Sequence, residues 1–399
     1  MKIKVLGMSD SLFTVTGYAN QMKNIFKRLQ DKEEYDLTHF SWHYFGQPLH
    51  DSKFDKYHFK FPILPHGKMQ FGIDKIVPYI NQYKPDIFFV TCDTFMLNPP
   101  ILRMDLSPAK FVMWFPSDGV PFPTGCEAVL KKADFPVAYS RFAQKQVADQ
   151  YGIETDYIPL GSDKNIYFPH PDKKKFELRR KWSDICINCK GEKTDLTNKK
   201  IAFINSRNQG RKMLAENLRA FSLIKDKMKD LILLFNSDPE DPAAHTNLRS
   251  VANRFGVADK VFWTGMKFYH GVTDEEVNEL YNIGDVFLLG TSGEGWGIPF
   301  VESMLAGTPV ITTDYTTAPE ILGDTGWLVK PAARLMGTYE VDRAIIDHRL
   351  AADALLDAFS DDKARKVKGK RARSKALEYD WGVVFKTWDN FFKKKVMNW

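Results

Sequence analysis

Only four cysteines occur in the chain of 399 residues: Cys92, Cys126, Cys186 and Cys189. A disulfide-stapled secreted scaffold is denser in cysteine than this, so a reducing compartment and a cytoplasmic location are expected. No apolar run approaches the roughly 20 residues needed to cross a bilayer. The N-terminal MKIKVLGMSDS has too short an apolar part for a signal peptide and reads as a first strand. There is no Asp-x-Asp pair. The histidines lack a tight ligand spacing, and Cys186-x-x-Cys189 has no second Cys or His pair nearby, so no metal site is expected. No internal repeat or long low-complexity tract is present. Charge of one sign is also scarce: 56 Lys and Arg against 50 Asp and Glu leave +6. That is a mild bias toward anionic partners, which could be nucleotides, acidic membrane surfaces or nucleic acid.

What is present is an alternation of short apolar runs with amphipathic stretches. Residues 2–7, 35–42, 87–91, 110–115, 135–139 and 155–158 read as strands in the first half, with helical patterns at 17–29, 70–83 and 141–151. In the second half the strands are 200–205, 231–236, 261–263, 285–289, 309–312 and 326–329, with helices at 212–227, 274–281 and 299–305. Such alternation predicts an α/β protein with parallel sheets built from crossover units. The length favours two domains. Ligands of doubly wound domains collect at the carboxyl ends of the strands, so a cleft between two sheets is expected. The expected division is residues 1–168, a polar linker or insertion at 169–199, a second domain at 200–380, and an aromatic, basic tail at 381–399. Trp381, Phe385, Trp388 and Phe392 recur there at helical spacing, and Trp399 ends the chain.

The most informative stretch is residues 290–307, GTSGEGWGIPFVESMLAG. It leaves a strand, turns through Gly295, Gly297 and Pro299, and opens a helix. Backbone N–H groups at such a turn can meet a phosphate or a sugar oxygen. Glu294 and Glu302 stand on either side of the turn, which suits a ligand with hydroxyls at both ends, such as a sugar nucleotide. Taken alone, a first-turn carboxylate often only complements the helix dipole. A second element, INSRNQGRKMLAENLRAF at residues 204–221, also follows a strand and opens a helix. Its Arg207 and Lys212 place two cations where the dipole gives them no support, which favours a role in holding a diphosphate. Arg211 is expected to face outward.

Residues 280–329 resemble the signature region of retaining GT-B glycosyltransferases, family 4 type (glycosyl transferases group 1). The matching segments are Glu294–Glu302 (EGWGIPFVE), 306–311 (AGTPVI), 319–321 (PEI) and 325–329 (TGWLV). The resemblance implies a GT-B fold, with two Rossmann-like domains facing each other across a cleft and the final helix crossing back onto the first domain. It assigns Arg207 and Lys212 to the donor diphosphate, Glu302 to the ribose, and Glu294 with the Gly295–Gly297 amides to the transferred sugar. Trp296, Ile298 and Pro299 complete that donor segment. Gly17 matches a glycine of the first-domain loop that approaches the donor phosphates, although an ordinary helix start explains it equally well. Where many members of the family carry a histidine, this chain has Asp118 in WFPSDGVPFPTG. Asp118 is therefore a candidate for sugar or acceptor hydroxyls, in competition with a loop aspartate satisfied by its own backbone. YIPLGSDKNIYFP at residues 157–169 resembles the family's approach to the hinge, with Gly161 near the cleft.

The aromatic span at residues 39–70, with Trp42, His43, Tyr44, His50, Tyr57, His58 and His66, occupies the place where this fold binds acceptors. A packed aromatic subcore is the competing reading. The implied reaction is hexosyl transfer from a UDP-, GDP- or ADP-sugar to an acceptor hydroxyl, with retained configuration and with Glu294, Arg207, Lys212 and Asp118 at the reacting centre. No cofactor is implied. Without an Asp-x-Asp pair, cations of the protein replace a metal in stabilising the leaving group. A nucleotide-sugar epimerase of the same architecture and a silent nucleotide-sugar-binding protein are the alternatives. The basic tail and the charge leave peripheral contact with an anionic membrane or a nucleic acid open.

Overall fold

The computed structural model describes residues 2–46, 58–244, 246–265 and 271–398. His50, Tyr57 and Trp399 lie outside the described residues. The chain divides into two compact units, one of Met1–Gly161, Thr338–Val341 and Trp381–Trp399, the other of Ser162–Gly337 and Asp342–Asp380.

The first unit contains a sheet of seven parallel strands in the order β3-β2-β1-β4-β5-β6-β7. They are β1 (Ile3–Asp10), β2 (Tyr35–Trp42), β3 (Ile63–Leu64), β4 (Ile87–Thr91), β5 (Lys110–Phe115), β6 (Phe135–Ala138) and β7 (Asp156–Tyr157). Helices α1 (Gly17–Leu29), α2 (Ile76–Tyr83), α3 (Glu127–Lys132) and α4 (Arg141–Tyr151) connect them. The central strands are continuous apolar runs because both faces of a parallel sheet are covered. IFFVT of β4 is buried at every position.

The second unit contains the strands β8 (Ile187–Asn188), β9 (Lys200–Asn205), β10 (Leu231–Asn236), β11 (Val261–Trp263), β12 (Val286–Leu289), β13 (Val310–Thr313) and β14 (Trp327–Val329). Their order is β14-β13-β12-β9-β10-β11-β8, parallel except for the edge strand β8. A hairpin of β15 (Pro331–Met336) and β16 (Asp342–Ile346) follows. Its helices are α5 (Asp172–Ser183), α6 (Leu214–Ser222), α7 (Leu248–Arg254), α8 (Asp274–Ile283), α9 (Ile298–Leu305), α10 (Ala318–Leu322), α11 (His348–Ser360) and α12 (Asp362–Ala376). The α/β class with two doubly wound sheets is as the alternation indicates.

The polar stretch at 169–199 is not a bare linker. It folds as α5 and β8 within the second unit. Its apolar stripe is thin, with Leu178 and Trp182 buried among lysines and arginines, and the charge hides it from a composition reading. The helix expected over 212–227 starts only at Leu214. A short 3-10 turn at Gly210–Lys212 precedes it, Met213 takes a left-handed conformation (φ 48°), and the helix stops at Ser222.

The last helix, α13 (Trp381–Asn390), continues as a π-helical turn at Phe391–Val396 and packs in the first unit. Trp388 lies with its ring centroid 4.7 Å from Phe89 and 5.0 Å from Trp114, and Phe392 is 5.3 Å from Phe89. The Trp381 ring fills the space where Gly161 lacks a side chain, 2.5 Å from an added Cβ, and Gly161 exchanges two hydrogen bonds of 2.9 Å with Gln21. Burying an aromatic ring contributes on the order of 4 kcal/mol before ordering costs. Removing residues 381–399 is therefore expected to give insoluble or unstable protein. Neutralising Lys393, Lys394 and Lys395 should cost far less than the truncation, because Lys395 pairs with Asp156 near the surface and Lys393 makes half-buried pairs with Glu34 and Asp389 beside the Tyr35 ring, with no apolar core removed. A soluble truncation with unchanged thermal unfolding would contradict this.

Candidate active site

Two loops meet at the carboxyl ends of β9 and β12. The first, Ser206–Met213, carries three cations; the second, Gly290–Gly297, carries Glu294. Asn217 on α6 holds the loops in register. Its side-chain amide donates to the Gly290 carbonyl (2.9 Å) and accepts from the Gly290 N–H (2.8 Å). The Ser292 N–H and the Thr291 hydroxyl both donate to the Arg211 carbonyl, at 2.8 and 3.0 Å.

Glu294 is the electrostatic centre. Its carboxylate is buried and lies 2.6 Å from Lys212 Nζ and 3.1 Å from Arg211 Nη1, and it accepts from the Thr291 hydroxyl at 2.9 Å. Burial by itself would raise its pKa. The Lys212 and Arg211 charges overcome that and hold the carboxyl down to about 2. Arg211, expected to face outward, is exposed, yet its guanidinium reaches back to Glu294. Arg207 is placed differently from Lys212: it lies 3.0 Å from the buried Asp241. The backbone of the loop is fixed by Thr316 and Thr317. The Glu294 N–H donates to Thr316 Oγ1 (3.1 Å), and Thr317 Oγ1 donates to the carbonyls of Glu294 (3.2 Å) and Trp296 (2.6 Å).

Gly297 caps α9 with φ 108°, and a Cβ there would sit 2.4 Å from the Phe300 ring. Only glycine meets both conditions at low cost. Pro299 occupies the first turn, where its missing N–H costs nothing. Gly295, Ile298 and Pro299 are half-buried. The Trp296 ring is buried, edge-on to Tyr379 at 5.0 Å, so the side chain is engaged in packing and the segment offers its backbone instead.

Glu302 lies in the second turn of α9 and is also buried. It accepts from Tyr281 OH at 3.0 Å. Tyr281 OH accepts from Asn205 Nδ2 (3.0 Å), Asn205 Oδ1 from Asn236 Nδ2 (2.9 Å), and Asn236 Oδ1 from Thr264 Oγ1 (2.8 Å). This polar chain runs across the carboxyl ends of β11, β10 and β9 to Glu302. Burial, reinforced by Asp274, pushes the Glu302 carboxyl up to about 8, against the hydrogen bonds from Tyr281 and Tyr167. The two carboxyls flanking one loop are therefore held in opposite states at neutral pH.

The remaining sequence candidates belong to the first unit. Gly17 is the first residue of α1 behind the cap Thr16, whose hydroxyl accepts from the Ala19 N–H and donates to Asp10. Asp118 is half-buried in the loop after β5, beside Gly119, whose carbonyl accepts from Gln146. Described rings of the aromatic span pack on neighbouring rings: Tyr44 and Phe59 against Phe13 of the first loop, and His43 stacked on His66. Cys189 is half-buried and the other three cysteines are buried, all as free thiols. Among the described residues, no group of three or more His, Cys, Asp or Glu side chains is placed to hold a metal ion. No helix among them is long and apolar enough to cross a membrane.

Residues 198–338 match the family model described as glycosyl transferases group 1. The whole chain superposes on a sucrose-phosphate synthase from Thermosynechococcus elongatus with a TM-score of 0.74 at 14% identity, covering 100% of both chains. The second unit thus carries a match to the group 1 glycosyltransferase domain, and the fold of the chain is GT-B. HepE of Anabaena, solved in complex with UDP and glucose, aligns with a TM-score of 0.72 at 16% identity over 97% of this chain and 98% of that one. In sequence, the chain is 31% identical over 110 residues to the O-antigen chain mannosyltransferase B of Escherichia coli, covering 28% of this chain and 25% of the relative. It is 24% identical over 193 residues to the mannosylfructose-phosphate synthase of Agrobacterium fabrum, covering 46% and 38%. The matched stretches thus span well under half the length of these curated relatives.

Sequence reasoning did not single out Asn217, Thr291, Thr316 and Tyr281. Asn217 had a usable signal, as a polar residue on the apolar face of α6 between Leu214, Leu218 and Phe221. The threonines act through loop backbone, which leaves no periodic trace.

Proposed function

We propose that the protein transfers a sugar from a nucleotide diphosphate sugar to an acceptor hydroxyl, with retention of configuration and without a metal. The observation that carries this reading is the cluster at the strand ends of buried Glu294 and Lys212 with the exposed Arg211, inside the segment that matches the group 1 family. Lys212 and Arg211 supply two positive charges against one carboxylate, so a diphosphate finds a net cationic seat. Fixed charges in a water-poor site stabilise a leaving diphosphate without reorganising. Arg207 adds a bidentate donor beyond them, and the Ile298 N–H at the start of α9 one more. Glu302, at the end of the polar chain, receives the ribose hydroxyls. Glu294 and the Gly295–Gly297 amides hold the transferred sugar, and Glu294 also keeps the Lys212 ammonium in place. Asp118 and Gly17 of the first unit are assigned to hydroxyl and phosphate contacts. A covalent route requires a carboxylate on the far face of the sugar. No residue of the donor segment is suited to that, which favours front-face departure with ion-pair character.

A thermal-shift series with UDP-, GDP- and ADP-sugars tests the reading. A ligand that binds only the native state stabilises by mass action, so one base should raise the unfolding temperature well above the others. No response to any nucleotide sugar would overturn it. Transfer should persist in EDTA, since protein cations occupy the place of the metal. Activity abolished by chelator and restored by Mn²⁺ or Mg²⁺ would contradict that part.

A further inference from the structure

The second unit has a charged cavity at the end of its sheet opposite the Glu294 loop. It is lined where the chain enters the strands: Thr197 ahead of β9, Gly284 and Asp285 ahead of β12, and Pro309 ahead of β13. Its volume is about 260 Å³. Sites that bury drug-sized ligands start at roughly 300 Å³, so this one suits a small group. Four cations line it, Lys175 and Arg179 from α5 and Arg365 and Lys366 from α12, against two carboxylates, Asp172 and Asp285.

The two arginines are committed to the fold. Arg179 donates to the carbonyls of Ile283 and Lys199 and to Asp285, and Arg365 donates to Asp362 and to the Ala358 carbonyl. The two lysines are not. Lys175 is half-buried, and its side chain makes no hydrogen bond or ion pair with any described residue. Lys366 reaches only the exposed Asp172, at 3.9 Å. Burial lowers the Lys175 pKa, only partly offset by Asp172 and Asp285, as befits an ammonium in want of a counter-ion.

The surroundings point the same way. α5 has six Lys and Arg against two carboxylates, and α12 has eight against one. These two helices carry +11 in a chain whose total is +6, so the rest of the molecule is net negative. A cavity whose wall carries an excess of one sign of charge concentrates counter-ions.

We propose that the cavity between α5 and α12 binds a phosphate monoester or phosphate dianion through Lys175 and Lys366, as a site separate from the one at the Glu294 loop. The net excess of two positive charges in the wall matches a dianion. The inference does not rest on the assignment of the donor. The test is thermal unfolding and calorimetry with inorganic phosphate, at ionic strength matched with chloride. Wild type is compared with the double variant Lys175→Gln/Lys366→Gln and with Lys175→Arg.

Phosphate is expected to stabilise wild type and Lys175→Arg. The double variant, as stable as wild type in chloride, should bind phosphate at least tenfold more weakly while its response to nucleotide sugars stays unchanged. Vesicles of phosphatidate in phosphatidylcholine, against phosphatidylcholine alone, assign the source. Lysine-dependent co-sedimentation competed by free phosphate supports a lipid headgroup, and binding of free phosphate without co-sedimentation supports a soluble ligand. No phosphate response in wild type, an equal response in the double variant, or loss of the response in Lys175→Arg would overturn the proposal.

Discussion

Lys212→Met should abolish measurable transfer while leaving a folded but weakened protein. Lys212 Nζ sits 2.6 Å from a carboxylate with both side chains almost wholly buried. Removing one partner of such a pair leaves an uncompensated charge and costs about 3–5 kcal/mol. Arg211 retains part of the compensation, so the lower end of that range is expected. The effect on chemistry is separate and larger. Losing a fixed cation from a leaving diphosphate should lower kcat by about 10²–10³-fold. The double variant Lys212→Met/Glu294→Gln separates the two, because it removes the orphaned charge along with its partner. Stability should largely return and activity should not. A double variant that regains activity would show that the pair only supports the fold.

The second large effect concerns Glu302. Its carboxyl is held up at about 8 in the folded protein, against 4.5 for an unperturbed glutamate. The stability it contributes is therefore fully present below pH 4.5 and is lost as pH rises through 8, amounting to on the order of 5 kcal/mol at full ionisation. Glu302→Gln cannot ionise. It should unfold at a higher temperature than wild type at pH 9 and at the same temperature at pH 5. Glu294 behaves oppositely: its stability is present above pH 4.5 and lost as pH falls toward 2. Ribose hydroxyls bind a carboxylate better than a neutral acid, so donor binding should draw the proton off Glu302. Donor affinity in wild type should then rise by up to tenfold per pH unit between 6 and 8, and in Glu302→Gln it should be flat and weaker. Calorimetry at three pH values decides, and a pH-independent wild-type affinity would remove Glu302 from the ribose.

How much of this was legible in the sequence follows from which forces leave a periodic trace. The parallel strands were readable because their burial on both faces makes unbroken apolar runs, as in IFFVT and LILLFN. The glycine-rich loop before α9 was readable because its glycine and proline positions are set by backbone geometry, as φ 108° at Gly297 illustrates. What could not be read is pairing at a distance. Arg207 and Arg211 are interchangeable in a string of letters. Their partners, Asp241 and Glu294, are set by a left-handed turn at Met213 and by the bracing amide of Asn217. The split between Glu294 and Glu302 was equally hidden, since it depends on whether cations or only tyrosines face the carboxyl. α5 was lost because two buried residues among six cations give a weak stripe.

The most direct test of the account is calorimetric titration of the stabilising nucleotide sugar into wild type and into Arg211→Ala and Lys212→Met, at pH 8 and without divalent metal. Wild type is expected to bind with a stoichiometry of one. Each variant should lose at least tenfold in affinity, because the cation pair facing Glu294 is the proposed diphosphate seat. Undiminished affinity in both variants would contradict the assignment of the Glu294–Lys212–Arg211 cluster as the donor site.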